Sequence, residues 1–464
     1  MIIPVVEGLE RDYPEWSEDW TRFKTASTLA SLVWHALQLG ILFARMVVEA
    51  ELSTRAKRPT DWPDCPVCGR RYRSKGFVSR RLNTLIGEIH WSRRVGRCPN
   101  HCPGSSSVPF DQSLGILPHQ KTGNGLKRLG VLLCVMLPYE MAGYLLSQWS
   151  GIQVSDSTLW NWVQQVGRHA SEQIDEQRRA YETGGSVDAD TLDAHLQSLC
   201  LAISADGVMA PFRPHPKTPA GKTVYKEVKI GLFARLHPYI NTKGKAVTRL
   251  LHRRVVAHVG EIHHFSALMG LESQKQSIQN APRSVWICDG GRGFWGLFRR
   301  QFAKRGCVAI LDFYHASGHL WKAAKAVFDG RTTLAQSLFK QWRHQLRHGN
   351  HFSVLRQLTQ LINTDGVFSE AEMNALTEVQ SYFQSHFEHI HYSQFDQQAL
   401  PLGSGMIESA CKWLIQQRFK GTGMRWSDEG FVHLLHLRVL WVNRRFDALF
   451  PDVDWAEQLP SPNR

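Results

Sequence analysis

The chain has 464 residues, of which 43% are hydrophobic, so we expect roughly two to four domains and exclude a disordered protein. Its 55 Lys and Arg residues outnumber its 41 Asp and Glu residues, and the resulting net charge of +14 favours a polyanionic partner such as nucleic acid. No run approaches the ~18–20 apolar residues of a membrane-spanning helix and no signal peptide is visible, so we expect a cytoplasmic protein with no membrane partner.

Residues 1–60 are predicted to be mostly helical, and a cysteine-rich segment follows at 61–103. There, Cys65-Pro66-Val67-Cys68 is separated from Cys98-Pro99-Asn100-His101-Cys102 by a hairpin-sized spacer. Two close cysteine pairs at this spacing are typical of a zinc ribbon, in which four thiolates hold one Zn²⁺. His101 is an alternative ligand, and reduced cysteines or a redox dithiol are the alternatives to zinc. The other cysteines lie in apolar segments, which indicates buried thiols in a reducing compartment: Cys134, Cys200, Cys288, Cys307 and Cys411.

Basic residues dominate the spacer between the two cysteine pairs, where Glu88 is the single acid. This bias suits contact with DNA phosphates, although a solvated charged face would have the same composition. The candidate DNA-binding residues of this segment are Arg70, Arg71, Arg80, Arg81, Arg93 and Arg94.

Residues 104–197 are predicted to form a helical DNA-binding region that ends in a polar linker. Tyr139–Trp149 and Ser155–Gly167 have helical periodicity and are separated by a short Ser-Gly-Ile break. Ser155 or Asp156 can cap the second helix, and the spacing resembles a helix-turn-helix. Many helical hairpins have this pattern without binding DNA, so a purely structural role is the alternative.

From residue 198 the pattern changes to strands that alternate with helices, which predicts an α/β core whose first part spans 198–315. The predicted strands are Leu199–Ala205, Glu227–Arg235, His252–Val259, Val285–Cys288 and Val308–Leu311, and the predicted helices are Gly260–Gln274 and Phe294–Lys304. Residues 316–400 are predicted to be an α-helical insertion. Residues 401–464 are predicted to contain a further core helix and basic C-terminal helices.

Three acidic residues have settings that suit metal binding. Asp206 closes the first predicted strand, Asp289 closes the fourth, and Glu408 follows Gly403-Ser404-Gly405 at the start of a predicted helix. Such carboxylates can converge on two divalent cations that hold the attacking and leaving oxygens of a phosphoryl transfer, and Mg²⁺ or Mn²⁺ suits these oxygens. Singly, an Asp-Gly pair is more often a turn, and an acid in the first turn of a helix often just favours the helix dipole. The three together in a basic chain indicate catalysis.

These residues carry a family likeness, in the order Ile-Ser-Ala-Asp206-Gly, Ile-Cys-Asp289-Gly-Gly, Leu-Asp312-Phe-Tyr-His315 and Gly-Ser-Gly-Met-Ile-Glu408-Ser. The order resembles DDE transposases of bacterial insertion sequences, in the group allied to the Mutator-like elements. The resemblance implies an RNase H-like core interrupted by the helical insertion, with an Asp-x-x-His motif after the second Asp. It also implies that the first two aspartates and the glutamate form a catalytic triad for DNA cleavage and strand transfer. The partners would be double-stranded DNA of the transposon ends and target, and a homo-oligomer would assemble on that DNA.

The identity of the second acid stays open, because Asp289 and Asp312 both end predicted strands. We favour Asp289, because it follows the fourth strand, where an RNase H-like core has its second acid. Asp312 and His315 would then support the metal ligands or contact a phosphate. The alternative for this pair is a helix N-cap and a packed histidine.

The segment after Glu408 is basic and contains a tryptophan. Its basic residues would hold phosphates, and the tryptophan would either stack on an unpaired base or pack in the core. These candidates are Lys412, Arg418, Lys420, Arg425 and Trp426. The competing functions for the whole chain are a non-catalytic zinc-ribbon DNA-binding protein, such as an inactive or domesticated transposase, and an RNase H-like nuclease that cleaves without joining.

Overall fold

A computed structural model describes residues 14–104, 106–214, 222–364 and 366–453. The described residues divide into two compact units. One contains the residues before Gln164 together with those after Leu449, and the other is Gln164–Leu449.

The first unit begins with a helical hairpin of α1 (Pro14–Thr25) and α2 (Leu29–Ala56). The hydroxyl of Thr28 caps α2 by accepting a hydrogen bond from the backbone N–H of Ser31 at 3.1 Å. Both helices lie within the segment 1–60 that the sequence predicts to be mostly helical.

Helix α2 corrects one expectation from the sequence. It is long and apolar enough to cross a membrane by length and composition, with a mean hydropathy of 1.5 in its most apolar window. The sequence does not show this as a continuous run, because His35, Gln38 and Arg45 interrupt it. A single helix of this kind is weak evidence for a membrane, since core helices and signal sequences pass the same test, and 11% of that window is buried here.

The cysteine-rich segment folds as a ribbon. Strands β1 (Arg73–Thr84) and β2 (Gly87–Arg97) form an antiparallel hairpin, and the short strand β3 (Ser106–Ser107) pairs with the end of β2. Arg73 pairs with Arg97, so the two cysteine pairs that flank the hairpin in sequence meet at its open end.

Four helices follow the ribbon: α3 (Pro109–Ser113), α4 (Asn124–Met136), α5 (Tyr139–Ser150) and α6 (Asp156–Glu182). Gly151, with φ of 68°, ends α5 in the left-handed conformation, and the Ser155 hydroxyl accepts a hydrogen bond from Thr158 N–H at 3.3 Å at the start of α6. Helix α6 continues well beyond the predicted end at Gly167 and crosses the boundary between the units. Its second half is rich in helix-forming residues, and Arg178 pairs with two acids of the same helix.

The second unit is a mixed α/β structure built on a five-stranded sheet. Its strands are β4 (Cys200–Phe212), β5 (Val224–Ile240), β6 (Ala246–Val259), β7 (Ser284–Cys288) and β8 (Val308–Leu311), in the order β6-β5-β4-β7-β8. Neighbours among β4, β5 and β6 are antiparallel, whereas β7 is parallel to β4 and β8 is parallel to β7. The five predicted strands and the α/β class are therefore confirmed.

Helices connect and cover the sheet. Helix α7 (Ala194–Gln197) precedes β4, α8 (Ile262–Lys275) links β6 to β7, and α9 (Arg292–Gln301) links β7 to β8. The predicted helical insertion contains α10 (Phe313–Val327), α11 (Thr333–Arg347), α12 (His351–Ile362), α13 (Glu370–Ser385) and α14 (Tyr392–Gln397). After it come α15 (Gly405–Ala410), a π-helical turn (Cys411–Gln416), α16 (Gln417–Phe419) and α17 (Asp428–Val442).

The two faces of β4 have different coverings. Ala205 pairs with Gly231, and a Cβ on that glycine would overlap Met269 of α8, so Ala205 shares the face of α8. Because side chains alternate along a strand, Asp206 points to the opposite face. Helix α15 and the π-helical turn pack against β4, and Cys411 of that turn contacts Asp206.

Candidate active site

Asp206 lies in the middle of β4, and not at its end as the sequence predicts. Strand β5 pairs with β4 as far as Phe212, which keeps the strand extended past Asp206. On the other side, β7 pairs with β4 only as far as Ser204, opposite Ile287. Asp206 therefore stands just beyond the point at which the parallel pair ends, where one edge of β4 is left without a partner strand.

Asp289 follows the last residue of β7, and the register brings it beside Asp206. Ser204 pairs with Ile287, so two residues further along each strand lie the two aspartates. The loop is held by the backbone N–H of Gly291, which donates to Asp289 Oδ1 at 3.0 Å, and by Trp295 Nε1, which donates to the Asp289 carbonyl at 2.6 Å. Within the described part of the chain, Asp289 Oδ2 accepts no hydrogen bond.

Glu408 comes from the first turn of α15 and its side chain is exposed. Residues three apart on a helix share one face, and Cys411, three residues after Glu408, contacts Asp206 through its thiol at 3.6 Å from Oδ2. The π-helical turn begins at Cys411, and such turns are frequent at functional sites. The sequence predicts the helix but gives no sign of this turn.

The negative charges of Asp289 and Glu408 both affect the pKa of Asp206. Burial raises the pKa of Asp206 above its ordinary value, the backbone N–H of Gly207 and the Cys411 thiol oppose that rise, and the negative charges of Asp289 and Glu408 add to it. Among the described residues, none of these three carboxylates has a lysine, arginine or histidine within ion-pair distance. Like charges therefore face one another without a counter-ion.

Three carboxylates are a donor set that suits divalent cations. Carboxylate oxygens are the ligands that Mg²⁺ prefers, and a cation would offset the repulsion among Asp206, Asp289 and Glu408. In the described ranges, only the four ribbon cysteines form a group whose ligand atoms all lie within 4.8 Å of one another. The carboxylates of Asp206, Asp289 and Glu408 therefore do not all lie within 4.8 Å of one another.

Asp312 is buried, with 1% of its surface exposed, and acts as the N-cap of α10. Its Oδ1 accepts a hydrogen bond from the backbone N–H of His315 at 2.6 Å, and its Oδ2 accepts one from the backbone N–H of Ser404. Asp312 therefore ties the start of α10 to the segment that leads into Glu408. The His315 side chain is exposed, and its ring centroid lies 5.3 Å from that of His319.

The four ribbon cysteines cluster as a possible zinc site. Cys68 Sγ lies 3.4 Å from Cys98 Sγ, and Cys98 Sγ lies 3.8 Å from Cys102 Sγ. A tetrahedral zinc shell with Zn–S bonds of about 2.3 Å has edges of about 3.8 Å, so these spacings suit it. His101 lies outside the group and instead turns the second pair, with φ of 52°.

The pKa values of Cys65 and Cys102 are shifted in opposite directions. Burial raises the pKa of Cys65, but the backbone N–H groups of Val67 and Cys68 and two neighbouring thiols lower it to about 6. The neighbouring Cys68 thiol, together with burial, raises the pKa of Cys102. A bound cation would stabilise all four as thiolates, which couples metal uptake to proton release.

The basic residues of the ribbon fall into two classes. Arg93 is buried and donates to Asp111 Oδ2 at 3.2 Å, and Arg80 donates to the Gln120 carbonyl at 2.6 Å with 14% of its side chain exposed. Both guanidinium groups are therefore occupied by hydrogen bonds within the protein. Arg81 has 69% of its side chain exposed.

The remaining ribbon arginines lie nearer the surface. Arg70 and Arg71 are exposed, and Arg71 pairs with Asp61. Arg94 lies over the Phe77 ring at 5.1 Å and is half-buried. Of the ribbon arginines that the sequence predicts to bind DNA, only the exposed ones are therefore accessible to a phosphate group.

The basic segment after Glu408 is divided in the same way. Trp426 is packed, with Nε1 donating to the Phe419 carbonyl at 2.9 Å, and the buried Arg418 lies over its ring at 5.4 Å. These contacts match the alternative in which Trp426 packs in the core. To stack on a base, Trp426 would have to break them. The exposed members are Lys412, Lys420 and Arg425.

Residues of the helical insertion that the sequence does not single out lie next to Asp289. A Cβ on Gly290 would overlap the ring of Tyr382 from α13, and His319 from α10 stacks on that ring at 3.8 Å. No short motif connects these positions, because they are far apart in the chain and meet only through the packing of the insertion against the sheet.

No protein-family model matches the chain, and no curated protein sequence matches it. Among solved structures, the chain is similar to the Drosophila P element transposase strand transfer complex, with a TM-score of 0.32 and 10% identity over 73% of this chain and 96% of that chain.

Proposed function

We propose that the chain is a DDE transposase of the insertion-sequence type, which cleaves DNA and transfers the freed strand with Asp206, Asp289 and Glu408 as its metal-binding acids. The proposal rests on the strand register that puts Asp206 and Asp289 two residues past the Ser204–Ile287 pair, and on the charges of Asp289 and Glu408, which both act on Asp206. Ligands of open α/β sheets bind beyond the carboxyl ends of parallel strands, which is where the three acids lie.

The architecture of the second unit supports an RNase H-like core of the kind that the family resemblance implies. The first acid is on the first strand, the second follows the fourth, and the third lies on a helix that comes after a long helical insertion. Asp289 is the better second acid than Asp312, because both oxygens of Asp312 already accept backbone hydrogen bonds.

Asp206, Asp289 and Glu408 would hold two Mg²⁺ or Mn²⁺ ions. When bound, such ions activate an attacking hydroxyl and stabilise the leaving 3′-oxygen. The charges of Asp289 and Glu408 both act on Asp206. Direct attack on phosphorus forms one P–O bond as another breaks, so the reaction needs no Ser or Tyr nucleophile from the protein.

The first unit would recognise the DNA. Its four cysteines would hold one Zn²⁺ that closes the ribbon, because a small hairpin has little core of its own. The exposed arginines Arg70, Arg71 and Arg81 would contact phosphates, and the helix-turn-helix-like pair α5–α6 would contact the groove. The partners would be the double-stranded ends of the element and its target, bound by a homo-oligomer.

The test is a cleavage and joining assay on a duplex that carries the inverted repeats flanking the gene, with Mg²⁺ or Mn²⁺. Asp206→Asn, Asp289→Asn and Glu408→Gln should each abolish both steps while DNA affinity is retained, because each keeps the shape but removes a metal-binding charge. Glu429→Gln is the matched control, since Glu429 is an exposed acid in the first turn of α17.

Each outcome of the assay distinguishes one function from another. Cleavage by all three variants at the wild-type rate would show that the active site lies elsewhere. Wild-type cleavage that never leads to joining would favour the nuclease. Wild-type protein that binds the ends but never cleaves them would favour the non-catalytic DNA-binding protein.

A further inference from the structure

Asp289 and its loop are covered by the helical insertion. The ring of Tyr382 contacts Gly290, in the space that a side chain there would fill. Behind it, the His319 ring stacks on Tyr382 with centroids 3.8 Å apart and planes 16° apart. The loop after β7 is therefore clamped by side chains from α10 and α13.

Two buried polar atoms in this clamp, the Tyr382 hydroxyl and His319 Nδ1, have no hydrogen-bond partner in the described part of the chain. His386 also belongs to the clamp, because its ring lies 5.2 Å from that of Tyr382 and it interacts with the Gly290 backbone. A buried donor without a partner is rare in proteins and calls for an explanation.

Asp289 directly precedes Gly290 in the chain, and its second carboxylate oxygen is an unmatched acceptor. Asp289 Oδ1 is taken by Gly291 N–H, whereas Oδ2 accepts no hydrogen bond from any described residue. The negative charges of Asp289 and Asp312 both act on the Tyr382 hydroxyl, although burial is the main reason that its pKa is raised. Asp312 already accepts two backbone hydrogen bonds, so Asp289 is the acceptor that lacks a donor.

We propose that Tyr382 is a positioning residue for the metal site, and that its hydroxyl donates a hydrogen bond to the Asp289 carboxylate when the site takes up its cations. This inference rests on the proposed function, because it assumes that Asp289 binds metal. It gives the helical insertion a role in the reaction, since the insertion would fix the orientation of a metal ligand that the sheet supplies.

The expected size of the effect follows from how metal ligands are supported. Groups that hydrogen-bond a ligating side chain fix its orientation, and their removal typically costs about 10–100-fold in metal affinity or activity. Tyr382→Phe removes only the hydroxyl and keeps the ring on Gly290 and His319. Without metal the variant should be as stable as wild type or more so, because it loses a buried hydroxyl that has no partner.

The experiment measures Mn²⁺ binding by the full chain, purified with zinc, from the electron paramagnetic resonance signal of free Mn²⁺ and without DNA. Tyr382→Phe should weaken Mn²⁺ binding about 10–100-fold. The control is Tyr392→Phe, since Tyr392 is also a buried tyrosine of the insertion whose hydroxyl has no described partner. It should bind Mn²⁺ as wild type does. Thermal unfolding without Mn²⁺ checks that both variants fold.

The outcomes separate this inference from the proposed function. Tyr382→Phe with wild-type affinity, beside an Asp289→Asn variant that no longer binds Mn²⁺, would overturn the positioning role and leave the function intact. Equal weakening by both tyrosine variants would also overturn it, because that result would mean a general loosening of the insertion. Wild-type Mn²⁺ binding by Asp289→Asn would overturn the proposed function together with the inference.

Discussion

Asp312→Asn should destabilise the second unit, whereas Asp289→Asn should not. The Asp312 carboxylate accepts backbone hydrogen bonds from His315 and Ser404, and it is almost fully buried. Asparagine keeps one acceptor oxygen but turns an NH₂ group toward the other backbone N–H, so one hydrogen bond to a charged acceptor is lost and one buried donor has no partner. The lost hydrogen bond costs ~1.5–3 kcal/mol and the unpaired donor ~1–3 kcal/mol. Because the surrounding structure can relax in part, we expect the free energy of unfolding to fall by about 2–4 kcal/mol.

Asp289→Asn lacks this cost, because the amide oxygen can still accept from Gly291 and the change relieves repulsion with Asp206. The assay is guanidinium unfolding of each metal-free variant, followed by tryptophan fluorescence, beside Mn²⁺ affinity. Asp312→Asn should lose stability and keep most of its Mn²⁺ affinity, and Asp289→Asn should do the reverse. An Asp312→Asn protein that is as stable as wild type but does not bind Mn²⁺ would refute the reasoning and exchange the roles of the two aspartates.

The remaining predictions concern the zinc, the DNA contacts and pH. The protein should carry one Zn²⁺ per chain by elemental analysis, and Cys65→Ser should lose it and destabilise the ribbon; folded, fully reduced, zinc-free wild-type protein would rule the site out. Arg81→Ala should lower by about 1 the slope of the logarithm of DNA affinity against the logarithm of salt concentration. Arg93→Ala should lower the stability of the ribbon instead. An unchanged slope for Arg81→Ala would mean that the Arg81 charge contacts only solvent. Because burial and like charges raise the pKa of Asp206 in the folded state, that state binds more protons than the unfolded chain, so metal-free stability should fall as pH rises from ~3.9 through the folded pKa. Asp206→Asn should lack that fall in urea titrations at several pH values, and an identical pH profile for the variant would contradict the assignment.

The strands and helices of the second unit follow from sequence periodicity, but the setting of Asp206 does not. The Asp206-Gly207 pair suggests a turn, yet the strand continues because β5 pairs along its whole length. A Cβ on Gly207 would overlap Glu227, so the glycine serves this cross-strand packing. Where a strand ends depends on its partner strands, and a single strand's sequence does not contain that information.

The arginines of the ribbon show a signal that composition alone misses. On β2, Ile89, Trp91 and Arg93 alternate with polar residues and share one buried face, so strand periodicity places Arg93 inward. Counting charges along the segment cannot separate such a residue from the exposed Arg81. The clamp around Asp289 has no signal of this kind, because it depends on how the helical insertion packs on the sheet.

If Asp206, Asp289 and Glu408 hold two divalent cations, anomalous diffraction from crystals soaked in Mn²⁺ should show two peaks among the three carboxylates, ~3.5–4 Å apart. Peaks at Asp312 and none at Asp289, or no Mn²⁺ peak near Asp206 in crystals that bind Mn²⁺ elsewhere, would contradict this prediction.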